Sequence, residues 1–389
     1  MPAALRAAHA ALVETLAERG LLSPRWRDVW EAVPRHLFIP PRVWRQGPDR
    51  CEPVRAGTGW RELVGSDEPI VTQLDDGRDD GPGTATSANS KPSMVAIMLN
   101  LLDVDDGQRV LEIGTATGHV AALLSERLGD DRVVSVEIDH ELTRQAVKNL
   151  AVAGYAPTVV TADGEQGWPA GAPYDRLIAT CALRHVPYEL VRQVRPGGIV
   201  VAPMAREFWS GALVRLSVLP DGTASGPFGG GASYMPMRAH RAAPAVRVDE
   251  STARAATGSV DPRRLLGLGF ALYAGARLPG VSMTHTEQDR TVRVWLQDKD
   301  GSGAFVERTG VSQVWQYGPR GLWAELELVY AEYVALGRPA ADAFGLTVTA
   351  RRQDVWLRSP DTVIAPTDSD RKVRPSTGLP SGGVGGGGG

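Results

Sequence analysis

The chain has 389 residues, 43% of them hydrophobic, so it is long enough to bury a large core and to form two or more domains. Its 42 basic and 45 acidic residues leave a formal charge of -3, which argues against nucleic acid or an anionic membrane as partner and favours a small molecule or a peptide. Two cysteines, Cys51 and Cys181, are too few for a disulfide framework and lack metal-ligand spacing, so we expect a protein of the reducing cytoplasm without a metal.

The N-terminal residues, about 4–45, are predicted to be helical, because leucine, tryptophan and valine recur at helical spacing before Pro40. Charged residues interrupt the first helix, so it is neither a signal peptide nor a membrane span. The next stretch, 46–90, is rich in Gly, Asp and Pro, and its last part, Gly77–Ser90, is too polar and glycine-rich for regular structure. We therefore expect a long loop there, of the kind that is often functional.

A helix is predicted from Pro92, because proline is favoured in the first turn and an apolar set follows at helical spacing. Ser90 stands just outside this helix. From the residues alone, its side chain could be no more than the N-cap of the helix.

The most informative segment is Val110–Leu124, which predicts a buried strand, a glycine turn and a helix before a second strand that ends in Glu137. Gly114 and Gly118 let the backbone pass close to a ligand, and Glu137 lies where a ribose diol could donate hydrogen bonds to it. The pattern differs from a dinucleotide fingerprint, because Ala116 replaces the middle glycine. The segment therefore predicts the front half of a nucleotide-type cofactor site.

Strands and helices alternate after Glu137, and their connections are too long for hairpins, which indicates an α/β protein with a doubly wound, mostly parallel sheet. A hairpin at the sheet edge follows. The predicted elements are a helix over 140–153, the strands Thr158–Asp163, Tyr174–Cys181 and Ile199–Met204, a helix over LVRQVRPGG closed by Gly197 and Gly198, and the first hairpin strand Gly211–Leu219.

Beyond about residue 245 the sequence predicts a smaller α+β module, 245–365, that includes the strand pair FGLTVTA and DVWLRS. Residues 366–389 are rich in Gly, Ser and Pro and cannot bury enough surface to fold. The tryptophans of the module are expected in its core rather than on a peptide-docking surface; they are Trp295, Trp315, Trp323 and Trp356.

Several segments together resemble the protein-L-isoaspartate O-methyltransferases, in the order typical of that family and over roughly residues 5–240. They are VPRHLFIP (33–40), SANSKPSMVAIML (87–99), ADGEQGW (162–168), APYDRLIAT (172–180) and RPGGIVVAPM (195–204). The resemblance implies the class I S-adenosylmethionine methyltransferase fold, Rossmann-like. Residues 1–90 would then supply N-terminal helices and a substrate-side loop, and 91–240 the cofactor-binding core.

The resemblance also implies the cofactor, S-adenosyl-L-methionine, with S-adenosyl-L-homocysteine as product. The Ser-x-Pro-x-Met element of such enzymes carries the hydroxyl that meets the substrate carboxylate, which maps onto Ser90. The hydroxyls of Ser87 or Thr86 could help, because hydroxyl donors hold a carboxylate without quenching it. The implied cofactor contacts are Glu112, Gly114, Thr115, Gly118 and His119 at the turn, Glu137 and Ile138 at the ribose, and Asp163 with Gly164 around the adenine.

Some of these residues also have an interpretation in which they take no part in binding or catalysis. Asp163 and Gly164 could form an ordinary turn, and His119 could be a spectator or pack on the cofactor. Cys181 and His185 follow the carboxyl end of a strand, where ligands bind in open α/β sheets, so they could line the pocket without taking part in the chemistry.

The leading interpretation is a carboxyl O-methyltransferase that modifies one aspartate of a peptide, whose methyl ester then closes to aspartimide and opens to isoaspartate. The chain is longer than repair-type members, carries an acidic insertion before Ser90 and reads TCALRHVP after Ala179, which resembles relatives that accompany lanthipeptides, graspetides and lasso peptides. One alternative is repair of isoaspartyl residues in damaged proteins. Another is an inactive binding protein, supported only by Ala116. A monomer is the default expectation.

Overall fold

The computed structural model describes residues 3–47, 50–242, 250–288, 291–307 and 313–367. The helices are α1 (Ala3–Glu18), α2 (Pro24–Ala32), α3 (Thr58–Val64), α4 (Pro92–Leu102), α5 (His119–Leu128), α6 (His140–Ala153), α7 (Tyr188–Arg192), α8 (Leu268–Arg277) and α9 (Leu322–Ala335). The strands are β1 (Arg42–Gln46), β2 (Cys51–Arg55), β3 (Ile70–Leu74), β4 (Ala85–Asn89), β5 (Val110–Ile113), β6 (Val133–Glu137), β7 (Thr158–Thr161), β8 (Tyr174–Ala179), β9 (Val194–Arg206), β10 (Trp209–Val218), β11 (Ala224–Gly231), β12 (Arg254–Thr257), β13 (Val281–Gln288), β14 (Thr291–Asp298), β15 (Gly303–Glu307), β16 (Gln313–Tyr317), β17 (Phe344–Val348) and β18 (Gln353–Leu357).

A nine-stranded sheet with the order β18-β17-β11-β10-β9-β8-β5-β6-β7 forms the centre of the molecule. Strands β9, β8, β5, β6 and β7 pair in parallel, and β10, β11, β17 and β18 add antiparallel pairs at one edge. Because β5 pairs with β6 on one side and β8 on the other, the winding reverses at β5. Open α/β sheets bind ligands at such a switch point. The predicted doubly wound α/β architecture is confirmed.

The strands beside the switch point are buried along their whole length, as expected for parallel strands covered by helices on both faces. The predicted helix over 140–153 is confirmed as α6. Its N-cap is Asp139, whose carboxylate accepts the backbone N–H groups of Glu141 and Leu142, and it ends at Gly154 in a left-handed conformation.

The prediction of irregular structure over Gly77–Ser90 is wrong for its last part, which forms β4. This strand pairs with β3 at the edge of a four-stranded sheet of order β2-β1-β3-β4, so the backbone groups that face β3 are paired although its side chains are polar or small. The glycine-rich part remains a loop. It is closed by Asp75, whose carboxylate accepts the N–H groups of Gly83 and Thr84 at 2.7 and 2.8 Å.

The prediction of a helix over LVRQVRPGG is also wrong beyond its first residues. Helix α7 ends at Arg192, and β9 begins at Val194, which pairs with Tyr174 of β8. Pro196 has no N–H to donate and Gly197 adopts φ +80°, so the segment leaves the helix early and enters the sheet through an irregular register.

The C-terminal residues do not form a module of their own over the whole of 245–365. A five-stranded sheet, β12-β16-β15-β14-β13, packs with α8 and α9, but β17 and β18 leave it and extend the central sheet through pairing of β17 with β11. One continuous apolar cluster reaches from β5 to β18, and Phe270 of α8 packs edge to face on Phe208 at 6.2 Å. Pairing between strands distant in sequence decided this arrangement.

The tryptophans expected in the C-terminal core divide into two groups. Trp323 and Trp356 are buried, whereas Trp295 and Trp315 are half-buried on the five-stranded sheet, where Trp315 stacks on Phe305 at 6.4 Å. The predicted unstructured tail, 366–389, lies outside the described residues except for its first two.

Within the described ranges, no helix combines the length and the apolar character needed to cross a membrane. Cys51 and Cys181 are both unpaired.

Candidate active site

A cleft opens at the switch point of the central sheet, with an empty volume of about 790 Å³ that includes its open mouth. The cleft is lined by Thr86, Ser87, Ala88, Ser90, Ile113, Gly114, Ala116, Val136, Glu137, Ile138, Leu142, Gly164, Thr180, Cys181, Tyr234, Met235, Pro236, Met237, Arg238 and Arg241.

The turn between β5 and α5 needs glycine at two positions. Gly114 has φ +103°, and a Cβ there would lie 3.0 Å from the Thr180 hydroxyl oxygen. Gly118 has φ +86°, and a Cβ there would lie 3.1 Å from a Leu150 side-chain carbon. Ala116 adopts the left-handed conformation as well, with φ +47°. The replacement of the middle glycine therefore leaves the turn formed, so Ala116 no longer supports an inactive protein.

Glu137 closes the turn from the end of β6. Its carboxylate oxygens accept the N–H groups of Ala116 at 2.9 Å and Asp139 at 3.1 Å. Burial raises the pKa of Glu137, and these backbone hydrogen bonds oppose that shift. Ile138 lies next to it, half-exposed on the cleft wall. The side chain is therefore fixed as an acceptor at the cleft, where the sequence predicts the ribose.

Glu112 and Thr115 lie behind the turn rather than on the main wall of the cleft. Glu112 is completely buried, and one carboxylate oxygen accepts a hydrogen bond from the Ser135 hydroxyl at 2.6 Å. The other oxygen has no partner among the described residues. Burial raises the pKa of Glu112 to about 8. Thr115 shares a 2.6 Å hydrogen bond with the same serine hydroxyl.

His119 belongs to the interface with the N-terminal helices. Its ring packs against Trp30 at 5.6 Å and Phe38 at 5.2 Å, and it is not part of the main cleft lining. Burial lowers the pKa of His119 to about 3, so the ring is neutral. His119 packs on these rings, and it also lines a smaller cavity behind the turn together with Glu112, Thr115 and Ser90.

Asp163 and Gly164 occupy different environments although they are neighbours. Gly164 lines the cleft, whereas Asp163 is exposed and its carboxylate accepts the N–H of Glu165 at 3.0 Å. Asp163 therefore forms a local turn at the edge of the site and is absent from the cleft lining.

The three candidate hydroxyl groups differ in the hydrogen bonds that they already make. Ser90 and Ser87 line the cleft, and the buried Ser87 hydroxyl has no hydrogen-bond partner among the described residues. The Thr86 hydroxyl accepts the N–H of Asp76 at 3.0 Å and donates to Gln73 at 3.0 Å, so it is already engaged. The N-cap of α4 is Lys91, without a side-chain cap. Ser90 is therefore not the helix cap.

A buried arginine that the sequence did not single out fixes the loop before α4. Arg35 is 1% exposed, and it donates to Asn89 Oδ1 at 2.7 Å and to the backbone carbonyls of Ser66, Glu68 and Ser90. Burial lowers its pKa to about 9, so it remains charged at neutral pH. Arg35 belongs to the segment VPRHLFIP, but its role could not be predicted there, because the partners of its side chain lie 31 to 55 residues away in the chain.

The segment after β11 supplies a wall of the cleft that no sequence pattern indicated. Its backbone is tied to the end of β8, because the N–H of Ala182 donates to the Met235 carbonyl at 2.8 Å and the N–H of Met237 donates to the Ala182 carbonyl at 2.9 Å. Cys181 also lines the cleft, and burial raises the pKa of its thiol to about 12, so it is no thiolate.

Ion pairs cross the rim of the cleft. Arg241 donates two hydrogen bonds to Asp76, at 2.6 and 2.7 Å, and Arg238 bridges Asp76 and Asp139 at 3.1 Å each. The Arg241 guanidinium lowers the pKa of Asp76. Both arginines are therefore neutralised by carboxylates from the loop before β4 and from the N-terminus of α6.

Glu165, His185 and His240 form a polar cluster outside the cleft lining, with Glu165 Oε1 3.0 Å from His240 Nε2 and 3.5 Å from His185 Nε2. The N–H of Arg184 donates to His240 Nδ1 at 3.0 Å, so a neutral His240 carries its proton on Nε2 and donates it to Glu165. Metal-bound imidazoles instead donate from their second nitrogen. The geometry fits a hydrogen-bond cluster better than a metal site.

Comparison with known proteins identifies close relatives. Residues 65–237 match the sequence profile of the family described as protein-L-isoaspartate(D-aspartate) O-methyltransferase. The protein-L-isoaspartate O-methyltransferase of Thermococcus onnurineus is 35% identical over 228 residues, which are 58% of this chain and 90% of the relative. Protein-L-isoaspartate O-methyltransferase 1 of Archaeoglobus fulgidus is 36% identical over 195 residues, 50% of this chain and 77% of the relative.

The fold resembles a solved structure titled protein-L-isoaspartate O-methyltransferase, with a TM-score of 0.53 at 20% identity. The match covers 90% of this chain and 100% of that one. It therefore extends well beyond the methyltransferase core.

Proposed function

The chain belongs to the protein-L-isoaspartate O-methyltransferase family and is an S-adenosyl-L-methionine-dependent methyltransferase, and we propose that it methylates one aspartyl side chain of a constrained peptide. The methyl ester would then cyclise to aspartimide and hydrolyse to aspartate or isoaspartate. Three features of the cleft and its surroundings support this proposal: residues that fit the cofactor, hydroxyls that fit the substrate carboxylate, and a contact beside the cleft that bears on peptide recognition.

The residues at the switch point fit the cofactor. The left-handed turn at Gly114 and Gly118 allows close approach of a ligand, and Glu137 offers a fixed buried acceptor for a ribose diol. Gly164, which also lines the cleft, would lie beside the adenine. When bound, the cofactor supplies an electrophilic methyl group on its sulfonium sulfur. The protein groups bind and orient that ligand without providing acid or base.

The substrate carboxylate is already ionised near neutral pH, because its ordinary pKa is about 4, so it needs no general base. Catalysis then depends on holding its oxygen in line with the methyl carbon at roughly 3 Å in a site without water. Neutral hydroxyls suit this task, because they orient a carboxylate without cancelling its charge. Of the three candidate hydroxyls, those of Ser90 and Ser87 would hold the carboxylate from the cleft lining, whereas Thr86 positions the loop.

The observation that carries the constrained-peptide proposal is a contact between the C-terminal region and a loop beside the cleft. Gln353 of β18 donates to the Val186 carbonyl at 2.8 Å and accepts the Val186 N–H at 3.1 Å. Val186 belongs to the loop that follows the cleft-lining residues Thr180 and Cys181. The added strands thus shape the loop that distinguishes this chain from repair-type members, which favours a dedicated substrate.

Repair of isoaspartyl residues in damaged proteins is the second candidate function. It is supported by the relatives named protein-L-isoaspartate O-methyltransferase, which are 35% and 36% identical to this chain. The fold of the solved structure with that name matches over 90% of this chain, so a C-terminal extension by itself does not separate the two functions. We also place the protein in the cytoplasm as a monomer, consistent with its two unpaired cysteines.

The first test is methyl transfer to three peptides, read by mass spectrometry: an unstructured isoaspartyl peptide, its aspartyl twin and a cyclic peptide with one aspartate. Modification of the cyclic aspartyl peptide in preference to both linear ones supports tailoring. Efficient methylation of the linear isoaspartyl peptide alone would identify a repair enzyme and contradict the tailoring proposal.

Two substitutions separate the carboxylate site from the cofactor site. Ser90→Ala should lower methyl transfer at least about 10-fold and leave the affinity for S-adenosylhomocysteine, measured by calorimetry, nearly unchanged, because a lost hydrogen bond to a charged group costs about 1.5–3 kcal/mol. Glu137→Ala should weaken S-adenosylhomocysteine binding first. Ser359→Ala, outside the cleft lining, is the matched control. If Ser90→Ala weakens cofactor binding in step with turnover, Ser90 is structural.

A further inference from the structure

Tyr234 lies in the segment after β11 and contributes its side chain to the wall of the cleft. The ring packs against the apolar cluster that contains α4 and α5, and the following residues are hydrogen-bonded to Ala182 on both sides of Pro236. Its position is therefore set by the sheet and not by the cofactor turn. The roles proposed for methyl transfer in the cleft do not involve Tyr234.

The Tyr234 hydroxyl is a buried donor without a well-formed hydrogen bond among the described residues. The Ser90 side chain lies within its hydrogen-bonding reach and opposes the effect of burial on its pKa. Burial raises the pKa of Tyr234, so the phenol keeps its proton at any physiological pH. A buried hydroxyl that lacks a partner costs free energy, so when it faces a ligand cleft it indicates an acceptor on the ligand.

The surroundings define what kind of acceptor fits. The arginines of the rim, Arg238 and Arg241, are paired with Asp76 and Asp139, so they are not free cations for the substrate. Arg35 donates to the Ser90 carbonyl, but its guanidinium is also engaged by Asn89 and other backbone carbonyls. Arg238 keeps a buried Nε–H without a partner among the described residues. The hydroxyls of Ser87, Ser90 and Tyr234 are neutral donors of the cleft lining. A carboxylate between two such hydroxyls keeps its charge and is held at two points, which fixes the plane of its oxygens.

We propose that Tyr234 is a second hydroxyl donor to the substrate carboxylate, which it holds together with Ser90 during methyl transfer. This assignment rests on the proposed function. In the step, one carboxylate oxygen forms the bond to the methyl carbon as the carbon–sulfur bond breaks and its electron pair stays on sulfur. Tyr234 and Ser90 retain their protons throughout, so the atoms and charges balance without an acid or a base.

The test compares wild-type enzyme, Tyr234→Phe, Ser90→Ala and the double variant on whichever of the three peptides the wild type methylates. We expect Tyr234→Phe to lower kcat/KM roughly 10- to 100-fold, as for a hydrogen bond to a charged group. The double variant should lose less than the product of the two single losses, because both hydroxyls hold one carboxylate. Tyr155→Phe is the matched control, because the Tyr155 hydroxyl donates to the exposed Glu126 at 2.7 Å. It should leave kcat/KM unchanged, both alone and together with Ser90→Ala.

Two further readouts do not depend on turnover. Calorimetry should give Tyr234→Phe the wild-type affinity for S-adenosylhomocysteine. Its ligand-free Tm should equal or exceed that of the wild type, because the change removes a buried hydroxyl without a partner.

An unchanged kcat/KM in Tyr234→Phe would overturn the assignment and leave the proposed function intact. A lower ligand-free Tm with weaker cofactor binding would also overturn it, since the hydroxyl would then have a structural partner. A wild-type enzyme that binds S-adenosylhomocysteine but methylates none of the peptides would overturn the proposed function, and this assignment with it.

Discussion

Ala116 occupies a conformation that favours glycine. Its φ of +47° places it in the left-handed region, where a side chain costs about 1–2 kcal/mol relative to glycine. The neighbouring glycines and the hydrogen bond from the Ala116 N–H to Glu137 hold it there. The residue thus stores strain in the turn that we propose as the cofactor site.

We predict that Ala116→Gly stabilises the ligand-free enzyme by about 0.5–1 kcal/mol, since the relief of strain exceeds the added entropy of the unfolded chain. Urea unfolding measures this change. Gly118→Ala is the reciprocal control and should destabilise, because of its φ of +86° and the Leu150 carbon 3.1 Å away. Lower stability of Ala116→Gly would show that the alanine methyl contributes packing that outweighs the strain.

Protonation of Glu112, which lies behind the cofactor turn, makes the free energy of unfolding depend on pH. Its pKa is about 8 in the folded state and near 4.5 when unfolded, so between these values the folded protein holds a proton that the unfolded chain has released. The free energy of unfolding therefore falls as the pH rises through this window. His119, with a lowered pKa, has the opposite effect, but only below its ordinary value of 6.5. The effect of Glu112 is therefore clearest between pH 6.5 and 8.

We expect the wild type to lose stability from pH 6.5 to 8, by up to about 1.4 kcal/mol per pH unit, and Glu112→Gln to lose much less. Burial also raises the pKa of Glu137, which acts in the same direction as Glu112. Urea unfolding at several pH values measures the slope. Glu62→Gln, at an exposed position, should keep the wild-type slope. Equal slopes in Glu112→Gln and the wild type would contradict a protonated Glu112.

At the scale of elements, β18 acts on the loop after β8. The two hydrogen bonds between Gln353 and Val186 join an edge strand from the end of the described chain to a loop beside the cleft. The backbone of that loop has further bonds: the N–H groups of Leu183 and Ala205 donate to the carbonyls of Pro203 and Leu183 at 2.9 Å each. Among the hydrogen bonds of this loop named here, which all lie within the described residues, the Gln353 contact comes from outside the methyltransferase core.

Gln353→Ala should speed hydrogen exchange at the Val186 amide by roughly 10-fold or more, because that N–H loses its partner, and the cost of opening falls by about 1 kcal/mol or more. Under the constrained-peptide proposal, KM for the cyclic peptide should rise and the affinity for S-adenosylhomocysteine should not change. Arg352→Ala, a change at an exposed neighbour, is the control. Unchanged exchange at Val186 would mean that the loop is held without β18.

At the scale of the whole molecule, the C-terminal region is part of one core. Strand β17 covers the edge of β11, and α8 packs on the end of β9 and on β10, with Gly275 so close to Trp209 that a Cβ would lie 2.8 Å from its indole nitrogen. The relative from Thermococcus onnurineus aligns over 90% of its length with only 58% of this chain. The methyltransferase portion of this chain therefore packs against a C-terminal region that the alignment to that relative does not include.

A chain truncated after Ala242 should be unfolded or aggregated, because it exposes the apolar face beside Phe208 and Trp209 and leaves β11 as an open edge. Circular dichroism and light scattering measure this, and a chain that ends at Thr367 is the control. Co-expression of residues 250–389 should restore a folded complex. A monomeric, folded truncation that binds S-adenosylhomocysteine would show that the C-terminal region is an independent addition.

The features that depend on local chemistry could be predicted from the amino-acid sequence. The glycine turn, the acid at the end of β6 and the alternation of strands and helices follow from residues close together in the chain, and the segments typical of the family identified it. The sequence also identified Ser90 and Ser87 as candidate hydroxyls. These features required no knowledge of which strands pair.

Only the tertiary structure decided the rest, because it depends on contacts between residues far apart in sequence. Pairing of β17 with β11 placed the last strands in the central sheet, and hydrogen bonds to Ala182 brought Tyr234 to Ser90. The fold engaged Thr86, a candidate hydroxyl, in its own loop and left Asp163 exposed, although Asp163 matched the family pattern. Burial, and not residue type, determined that Arg35 holds the Ser90 loop and that Glu112 keeps its proton.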